Sequence, residues 1–171
     1  MDSTTWGGPL WDLLFTLTYN HPKERHEEFK NLFYSLMFVL PCAECQKSYI
    51  KFVTKKNPIR VCADDEYYAK WLWTVKDMVN QKLGKPYVGY STAKKKYGHF
   101  CSLTNETTTI QLLIIMCEAC DAANHQHLIN FSKSISFLGT NVLDNAFCER
   151  LTTLKNDDLK SQLIQIFKWV K

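Results

Sequence analysis

The sequence predicts an all-α protein, a bundle of four to five helices followed by a helical extension. Apolar residues recur at helical spacing along nearly the whole chain, and no segment shows the alternation of a half-buried strand. Glycine and proline number only 6 and 5 among 171 residues, too few for the many turns of an all-β barrel. With 46% hydrophobic residues, the chain can bury a sizeable core.

The first two helices follow from apolar periodicity. Residues 10–17 predict a first helix, entered through Gly7-Gly8-Pro9 with the proline in its first turn. It is expected to end near Asn20, because a proline follows two residues later and disfavours helix before it. Residues 29–40 repeat an i, i+3, i+4 pattern and predict a second helix that stops at Pro41.

Three further helices are expected before residue 98. Residues 42–53 predict the third. The acidic triplet Asp64-Asp65-Glu66 marks the start of the fourth, since negative charge is favoured at a helix N-terminus. Gly84 fits the C-terminal cap of that helix, and Ser91 is expected to cap a short fifth helix through Tyr97.

The composition changes after residue 100. Residues 102–109 are polar and threonine-rich, which predicts a linker or a helix start. Residues 112–128 predict one continuous helix, and residues 132–145 are less regular. Residues 157–170 predict a terminal helix, so the second part is expected to be a helical extension.

Charge is distributed unevenly between the two parts. Residues 1–100 carry 15 basic and 10 acidic side chains, a net +5, whereas residues 101–171 carry 6 and 7, a net −1. The first part is therefore the better candidate for an anionic ligand. The excess is too small to predict a nucleic-acid partner, for which a basic stripe and a higher isoelectric point are typical.

Neither a membrane span nor a signal peptide is expected. The longest purely aliphatic run is Leu112–Met116, far short of the roughly 18–20 residues that a span needs. Residues 1–5 contain neither a basic nor an apolar signal region, which predicts an intracellular location. Seven cysteines in a reducing compartment favour redox or metal chemistry over structural disulfides.

The sharpest local feature is Pro41-Cys42-Ala43-Glu44-Cys45 at the expected start of a helix. Two thiols three residues apart can close a small disulfide, and a helix N-terminus lowers a cysteine pKa by stabilising the thiolate. Thiol–disulfide exchange is one interpretation, while half of a zinc site and an incidental buried pair are the others.

A second feature is an aromatic and basic set around the fourth helix. Helical spacing places Lys76, Val79, Asn80 and Leu83 along one side of it. Aromatic rings could stack on a planar cofactor, and lysines could meet a pyrophosphate. The alternative is that the rings are core residues and the lysines are solvated. The set comprises Trp71, Trp73, Asn80, Lys82, Lys85, Tyr87 and Tyr97.

Three ordered motifs, which together cover about residues 6–97, carry a resemblance. The opening Trp6-Gly7-Gly8-Pro9-Leu10-Trp11 and the following residues to Leu17 are similar to WGxxxWxxLHTL. Trp71-Leu72 and then Val79–Pro86 are similar to WLxxxHNxVNxxLGKP, and the CxxC lies between these segments. In this order the motifs resemble the Erv/ALR family of FAD-linked sulfhydryl oxidases, and look closest to those of large DNA viruses.

The resemblance implies a helical bundle, often a homodimer, that holds FAD beside the CxxC. Residues 1–100 would form the FAD-binding sulfhydryl oxidase domain, and residues 101–171 an extension of unknown role. Cys42 would exchange with the substrate, and Cys45 would lie against the flavin. The residues that would bind FAD are Gly7, Trp11, Phe15, Lys76, Val79, Asn80, Lys82, Leu83, Lys85, Tyr87, Lys96 and Tyr97.

The activity implied by the resemblance is the formation of disulfides in protein substrates. Electrons would pass from the Cys42–Cys45 pair through FAD to molecular oxygen, which would give hydrogen peroxide. The expected partners are dithiol proteins of the thioredoxin-like or virion kind. If the chain is viral, its expected location is the host cytoplasm, the virion or both.

Several positions depart from the family pattern. Phe15 replaces the histidine of the opening motif, and Lys76-Asp77 replace the His-Asn pair of the second. Trp73 and Tyr90 occupy the positions of two cysteines that form a structural disulfide in cellular members. Because both cysteines are absent together, aromatic packing is expected to hold that joint.

The remaining cysteines leave alternatives open. Cys117-Glu118-Ala119-Cys120 is a second CxxC that could be a shuttle, a structural disulfide or a pair of reduced buried thiols. A zinc-binding module that uses all four CxxC cysteines is one alternative to an oxidase, and His125 and His127 lie close to the second pair. A catalytically degenerate scaffold is the other, motivated by Lys76 and Asp77. The unassigned cysteines are Cys62, Cys101 and Cys148.

Overall fold

A computed structural model describes residues 3–19, 24–57, 66–98, 106–139, 145–155 and 158–168. Over these ranges the chain forms nine α-helices and one short 3₁₀ turn, with no strand, which confirms the all-α class. The first five helices are α1 (Ser3–Tyr19), α2 (His26–Val39), α3 (Ala43–Lys55), α4 (Tyr67–Lys82) and α5 (Tyr90–Tyr97). The others are α6 (Glu106–Ala119), α7 (His125–Leu138), α8 (Asn145–Thr152) and α9 (Leu159–Lys168).

Helix α1 begins earlier than the sequence predicts. It starts at Ser3, so Pro9 lies inside the helix and not in its first turn. The side chain of Trp6 is 5% exposed, and its burial in the core extends the helix toward the N-terminus. Because proline has no N–H, only the bond to the carbonyl of Thr5 is lost, and Thr5 is exposed to water.

The end of α4 confirms the expected glycine cap. Gly84 has φ +64°, in the left-handed region that glycine adopts without steric cost. The backbone N–H of Lys85 donates to the carbonyl of Asn80 at 2.9 Å, and that of Gly84 donates to Gln81 at 3.1 Å. These two bonds form a Schellman motif, which directs the chain away from the helix axis into the extended segment 85–89.

Two helix starts differ in detail from the prediction. Helix α5 begins at Tyr90 with Gly89 at its N-cap, so Ser91 lies within the helix. Glu66 is the N-cap residue of α4, which confirms the expected negative charge at that helix start, although its side chain makes no capping hydrogen bond. Its carboxylate instead accepts from the Tyr90 hydroxyl at 2.9 Å and pairs with Lys94, which ties the start of α4 to α5. Asp64 and Asp65 lie outside the described residues.

The predicted helix over residues 112–128 is wrong, because the chain breaks between α6 and α7. Asp121 has an extended backbone, with φ −72° and ψ 151°, and the 3₁₀ turn Ala122–Asn124 follows it. The expectation of less regular structure over 132–145 is wrong for residues 132–138, since α7 continues to Leu138, and residues 140–144 lie outside the described residues. Ser132, Ser134 and Ser136 are buried in α7. Because serine is polar, the sequence of this segment did not indicate a helix that faces the core.

The helices of the described ranges bury one continuous apolar core. Helix α7 lies along α2, α6 packs against α1, and α8 and α9 cover α7 and α6 respectively. Helices α3, α4 and α5 pack on α2 and α1. The CxxC lies at the start of α3, and the predicted cofactor residues lie in α1, α4 and α5 and in the segment between α4 and α5. Among the helices described, none combines the length and apolarity that would be needed to cross a membrane.

Candidate functional site

The first CxxC lies where α2 gives way to α3. The backbone becomes extended at Leu40, where α2 ends. Cys42 is the N-cap of α3, with φ −152° and ψ 114°. Cys42 and Cys45 are joined in a disulfide. The backbone N–H of Cys45 donates to the Sγ of Cys42 at 3.2 Å. A thiolate formed at Cys42 would therefore receive an N–H bond and the positive end of the helix dipole, both of which lower a thiol pKa.

Gln46 fixes the turn that carries the disulfide. Its side-chain amide donates to the carbonyl of Leu40 at 2.8 Å and to that of Phe38 at 3.2 Å. Both carbonyls lie at the C-terminal end of α2, where the last carbonyls of a helix have no partner within the helix. One side chain thus links the end of α2 to the first turn of α3 beside the disulfide. The sequence analysis missed this residue, since its function depends on how the two helices meet.

The C-terminal part of the chain reaches the same turn. The ring of His127, in α7, stacks on Phe38 with centroids 3.9 Å apart and planes 16° apart. Phe38 is also the residue whose carbonyl receives Gln46. The extension therefore contacts the segment that positions the disulfide.

Aromatic rings join α1 to α5 within the predicted cofactor region. Phe15 and Tyr97 stack with centroids 4.3 Å apart and planes 9° apart, and the Trp11 centroid is 6.3 Å from that of Phe15. Phe15 is 0% exposed and Tyr97 is 5% exposed. Phe15 is thus a core residue in this conformation, and no further ring fits between it and Tyr97.

Two lysines approach these rings. The Nζ of Lys76 lies 4.5 Å from the centroid of the Trp11 ring, and the Nζ of Lys96 lies 4.5 Å from that of Tyr97. Burial, together with the positive charges of Lys96 and Lys85, lowers the pKa of Lys76 to about 8 against the opposing effect of Asp12. An anion placed between Lys76 and Lys96 would relieve this repulsion and raise the Lys76 pKa again.

A small cleft between α4 and α5 contains both lysines. Its volume is about 150 Å³, and its walls are Trp73, Lys76, Asp77, Asn80, Val88, Thr92, Ala93, Lys96 and Tyr97. Asp77 Oδ2 accepts from Gln81 at 2.7 Å. Its Oδ1 is buried and has no hydrogen-bond partner among the described residues, so it can accept an N–H or O–H of a ligand. Asp77 was noted as a departure from the family pattern but was not among the predicted site residues.

The other predicted cofactor residues are not among the walls of this cleft. A Cβ added at Gly7 would meet no atom within 4 Å, so packing within the chain does not require a glycine there. Val79 is half-buried in α4. The Nζ of Lys82 donates to Ser48 on α3 at 2.5 Å. Leu83 and Tyr87 are 57% and 65% exposed, and Lys85 is also exposed.

The aromatic joint expected in place of a disulfide is confirmed. Trp73 and Tyr90 meet edge to face with centroids 5.7 Å apart, and Tyr87 contacts the other side of the indole at 5.9 Å. The indole N–H of Trp73 donates to the carbonyl of Val88 at 2.8 Å. Trp73 therefore holds the extended segment after α4 against α4 and α5, and it also forms one wall of the cleft.

The second CxxC lies at the C-terminal end of a helix, whereas the first lies at an N-terminal end. Cys117 is in the last turn of α6, and Cys120 is the first residue beyond that helix. Neither is disulfide-bonded to another described residue. Burial raises the pKa of both thiols, that of Cys120 to about 11. Cys148 is half-buried on α8, and Cys62 and Cys101 lie outside the described residues.

The zinc-module alternative finds no arrangement to support it within the described ranges. There, no group of three or more histidine, cysteine, aspartate or glutamate side chains is placed to hold a metal ion. Cys42 and Cys45, which that module would use, are bonded to each other.

Comparison with known proteins gives the chain a family context. The model of the Erv1/Alr family matches residues 9–98, more than half of the chain. FAD-linked sulfhydryl oxidase ERV1 of Oryza sativa is 30% identical over 96 residues, which cover 54% of this chain and 48% of that protein. A candidate FAD-linked sulfhydryl oxidase of Invertebrate iridescent virus 6, 347L, is 29% identical over 106 residues, or 57% and 96% of the two chains.

A similar candidate oxidase of Invertebrate iridescent virus 3, 096R, is 27% identical over 101 residues, which cover 57% of this chain and 68% of that protein. The chain spans about half the length of the rice relative. No solved structure matches the chain significantly. The disulfide, the cleft and all of the predicted cofactor residues except Gly7 lie within the matched residues 9–98.

Proposed function

The chain belongs to the Erv1/Alr family, and on this premise we propose that it is a FAD-dependent sulfhydryl oxidase that forms disulfides in protein substrates. One observation carries the proposal. Cys42 and Cys45 form a disulfide in which Cys42 caps the N-terminus of α3, a position that favours exchange with an incoming thiolate. The names of the plant and viral relatives support the same chemistry.

The cleft between α4 and α5 fits FAD in its charges and hydrogen-bonding groups. Lys76 and Lys96 would hold the pyrophosphate, and the buried Oδ1 of Asp77 would accept from a ribose hydroxyl or a ring N–H. Trp11 and Tyr97 offer aromatic faces beside these groups. At about 150 Å³ the cleft is smaller than the roughly 300–1,000 Å³ of pockets that hold whole ligands, so binding requires its lining side chains to move.

The exchange step uses the helix terminus directly. A substrate thiolate attacks the half-buried Sγ of Cys42, the Cys42–Cys45 bond breaks, and Cys45 leaves as a thiolate. The second substrate thiolate then attacks the substrate sulfur of the mixed disulfide. The substrate disulfide forms, and Cys42 is released as a thiolate. The N–H of Cys45 and the N-terminus of α3 stabilise the Cys42 thiolate as it leaves. This stabilisation favours the second attack, on the substrate sulfur of the mixed disulfide.

FAD, when bound, accepts the two electrons of the reduced pair and delivers them to molecular oxygen, which becomes hydrogen peroxide. The residues of the chain hold the sulfur pair in place for this transfer. Gln46 fixes the turn, and the disulfide loop packs against the shared apolar core. Over one cycle, two substrate thiols and one oxygen molecule give one disulfide and one hydrogen peroxide.

Partners and location follow from the family likeness. The substrates are dithiol proteins, thioredoxin-like or virion proteins among them, and the assembly is a homodimer. The two relatives from iridescent viruses support action in the host cytoplasm or the virion. Residues 1–100 form the oxidase domain in this proposal, and residues 101–171 form its extension.

Oxygen consumption by the purified chain with added FAD and dithiothreitol tests the proposal. We expect dithiol-dependent oxygen uptake matched by an equal amount of hydrogen peroxide. FAD binding without turnover would identify the chain as a degenerate scaffold. A colourless protein that binds no FAD and carries stoichiometric zinc would favour the zinc module.

A further inference from the structure

A basic groove runs between α3 and α4, on the face of α4 that adjoins the cleft. Its volume is about 700 Å³, and Asp77 lines both the groove and the cleft. Its charged walls are Glu44, Lys47, Lys51, Lys55, Lys56, Asp77 and Lys82, five cations and two carboxylates. The sequence analysis placed the positive excess in residues 1–100, but only the packing of α3 on α4 gathers it into one groove.

The groove begins in the first turn of α3 and follows that helix. Glu44, which lies between the two cysteines, lines its first end. Lys47, Lys51 and Lys55 follow at intervals of three or four residues and so share one face of the helix. A second depression of about 530 Å³ shares Lys55 and Lys56 with the groove and extends it to Tyr67 and Trp71.

The length of this path suits a short extended peptide. Helix α3 has 13 residues and is therefore about 20 Å long at 1.5 Å per residue. Six extended residues cover about the same distance at roughly 3.3 Å each. The half-buried ring of Phe52 lines the groove among the lysines, and Trp71 lines its continuation.

Much of the positive charge of the groove is not neutralised by the residues that the structure describes. Lys47 pairs with Glu44 at 2.8 Å, and Lys82 donates to the hydroxyl of Ser48. Lys51, Lys55 and Lys56 are exposed, and none of them has a carboxylate within 4 Å in the described part of the chain. A strongly charged wall of this kind raises the local concentration of an oppositely charged partner and its association rate.

We propose that this groove docks an acidic, extended segment of the dithiol substrate protein and thereby presents the substrate thiols to Cys42. The inference rests on the proposed function and names the substrate class of that site. A polypeptide is favoured over a nucleic acid for two reasons. Glu44, which lines one end of the groove, lies in sequence between the two cysteines that react with thiols. The groove also runs between two packed helices along the length of α3, a distance that about six extended peptide residues cover. A single-stranded nucleic acid is the competing occupant.

Two charge-reversal variants test the docking surface. The double variant Lys51→Glu, Lys55→Glu reverses the charge in the middle of the groove. It leaves the disulfide and the predicted cofactor residues intact. Lys95→Glu with Lys155→Glu is the matched control, since these lysines are exposed on α5 and after α8 and the change in net charge is the same. The substrates are two dithiol peptides, identical except for a flank of six glutamates or six glutamines, and dithiothreitol.

We expect the wild-type chain to oxidise the glutamate peptide with a kcat/KM about tenfold above that of the glutamine peptide at low salt, because opposite charge accelerates encounter. The preference should disappear in the groove variant, persist in the control and decline with added salt. Dithiothreitol should be oxidised equally by all three proteins. Equal kcat/KM values for the two peptides, or an equal loss in the control variant, would overturn the proposal.

A binding measurement separates this inference from the proposed function. Fluorescence anisotropy with a labelled, cysteine-free glutamate peptide should show binding to the wild-type chain and to the control variant, and a loss of about tenfold in affinity in the groove variant. If no thiol supports oxygen uptake but the three proteins bind the peptide as expected, the proposed oxidase function is refuted. The groove would then remain a site for acidic peptides. A single-stranded oligonucleotide of equal charge that binds more tightly than the peptide would overturn the peptide assignment.

Discussion

The two CxxC motifs have the same composition, two cysteines with one alanine and one glutamate, and lie at opposite ends of their helices. Cys42-Ala43-Glu44-Cys45 opens α3, with Cys42 as the N-cap, whereas Cys117-Glu118-Ala119-Cys120 closes α6. The positive end of a helix dipole favours a thiolate, and the negative end disfavours one. Placement, and not the motif, therefore decides which pair can exchange disulfides at neutral pH.

Burial strengthens the contrast. It raises the pKa values of Cys117 and Cys120, and nearby Asp121 raises that of Cys120 further, to about 11. At neutral pH both thiols are thus protonated, and a protonated thiol is a poor nucleophile. The reduced Cys42, by contrast, would keep the N–H of Cys45 as a partner at 3.2 Å. We infer that the first pair reacts and that the second is unsuited to a shuttle role.

The largest expected effect comes from removing one sulfur of each pair. Cys45→Ser should bind FAD as the wild type does but lose dithiol-dependent peroxide production by about a thousandfold or more, because no dithiol remains to reduce the cofactor. Cys120→Ser is the matched change at the second motif and should retain most of the activity. Peroxide production by Cys45→Ser at the wild-type rate would refute the assignment of the reactive pair.

Alkylation of the reduced protein measures the same difference at the level of the thiols. Iodoacetamide should modify Cys42 at pH 7 at least about a hundredfold faster than Cys120, because only the thiolate reacts. The rate at Cys120 should rise with pH through about 11, where half of that thiol is ionised, and level off only above that pH. Mass spectrometry of peptides from timed samples gives both rates, and equal rates at pH 7 would show that the helix end has no influence.

A smaller effect is expected from the side chain that anchors the first motif. Gln46→Ala removes both bonds to the end of α2, so the free energy of unfolding should fall by about 1–3 kcal/mol and turnover by about tenfold. Gln126→Ala is the control, since Gln126 is exposed on α7 and bonds only to Asn130. Denaturant titration and oxygen uptake measure the two effects. If both variants behave alike, Gln46 does not position the disulfide.

The smallest expected effect is on the affinity for FAD and concerns Lys76. Lys76 has a pKa of about 8, so it is a cation below that pH and neutral above it. FAD affinity should therefore decrease a few-fold as the pH rises through about 8, because one cation facing the pyrophosphate is lost. Fluorescence quenching of FAD measures the affinity. The Lys76→Met variant should bind FAD more weakly, and its affinity should not change as the pH rises through about 8. If the affinity of that variant still falls at this pH, a group other than Lys76 causes the decrease.

Much of the fold could be predicted from the sequence, because helix α2 and the cap at Gly84 depend on local spacing and local turn chemistry. The break after Ala119 was not predicted, since no glycine or proline marks it. The buried serines of α7 misled the analysis for a related reason. They are buried where α7 packs against other helices, and the sequence of α7 alone does not show which of its residues will be covered.

The site was predictable in its residues more than in its contacts. Local motifs predicted the sulfur pair, which forms a disulfide, and predicted Lys76 and Tyr97, which line one cleft. The expectation for Trp73 and Tyr90 is confirmed by their ring contact. The orphan oxygen of Asp77 and the anchoring role of Gln46 depend on neighbours brought close by tertiary packing. The lysines of α3 form a groove only because α4 lies beside them.

An anaerobic absorption titration tests the central claim most directly. The purified chain, loaded with FAD, is titrated with dithiothreitol without oxygen while the visible flavin band is followed. We expect the band to bleach in the wild type and in a Cys117→Ser, Cys120→Ser double variant, and to remain in Cys45→Ser. Bleaching of Cys45→Ser at the wild-type rate, or bleaching that depends on Cys117 and Cys120, would contradict the account.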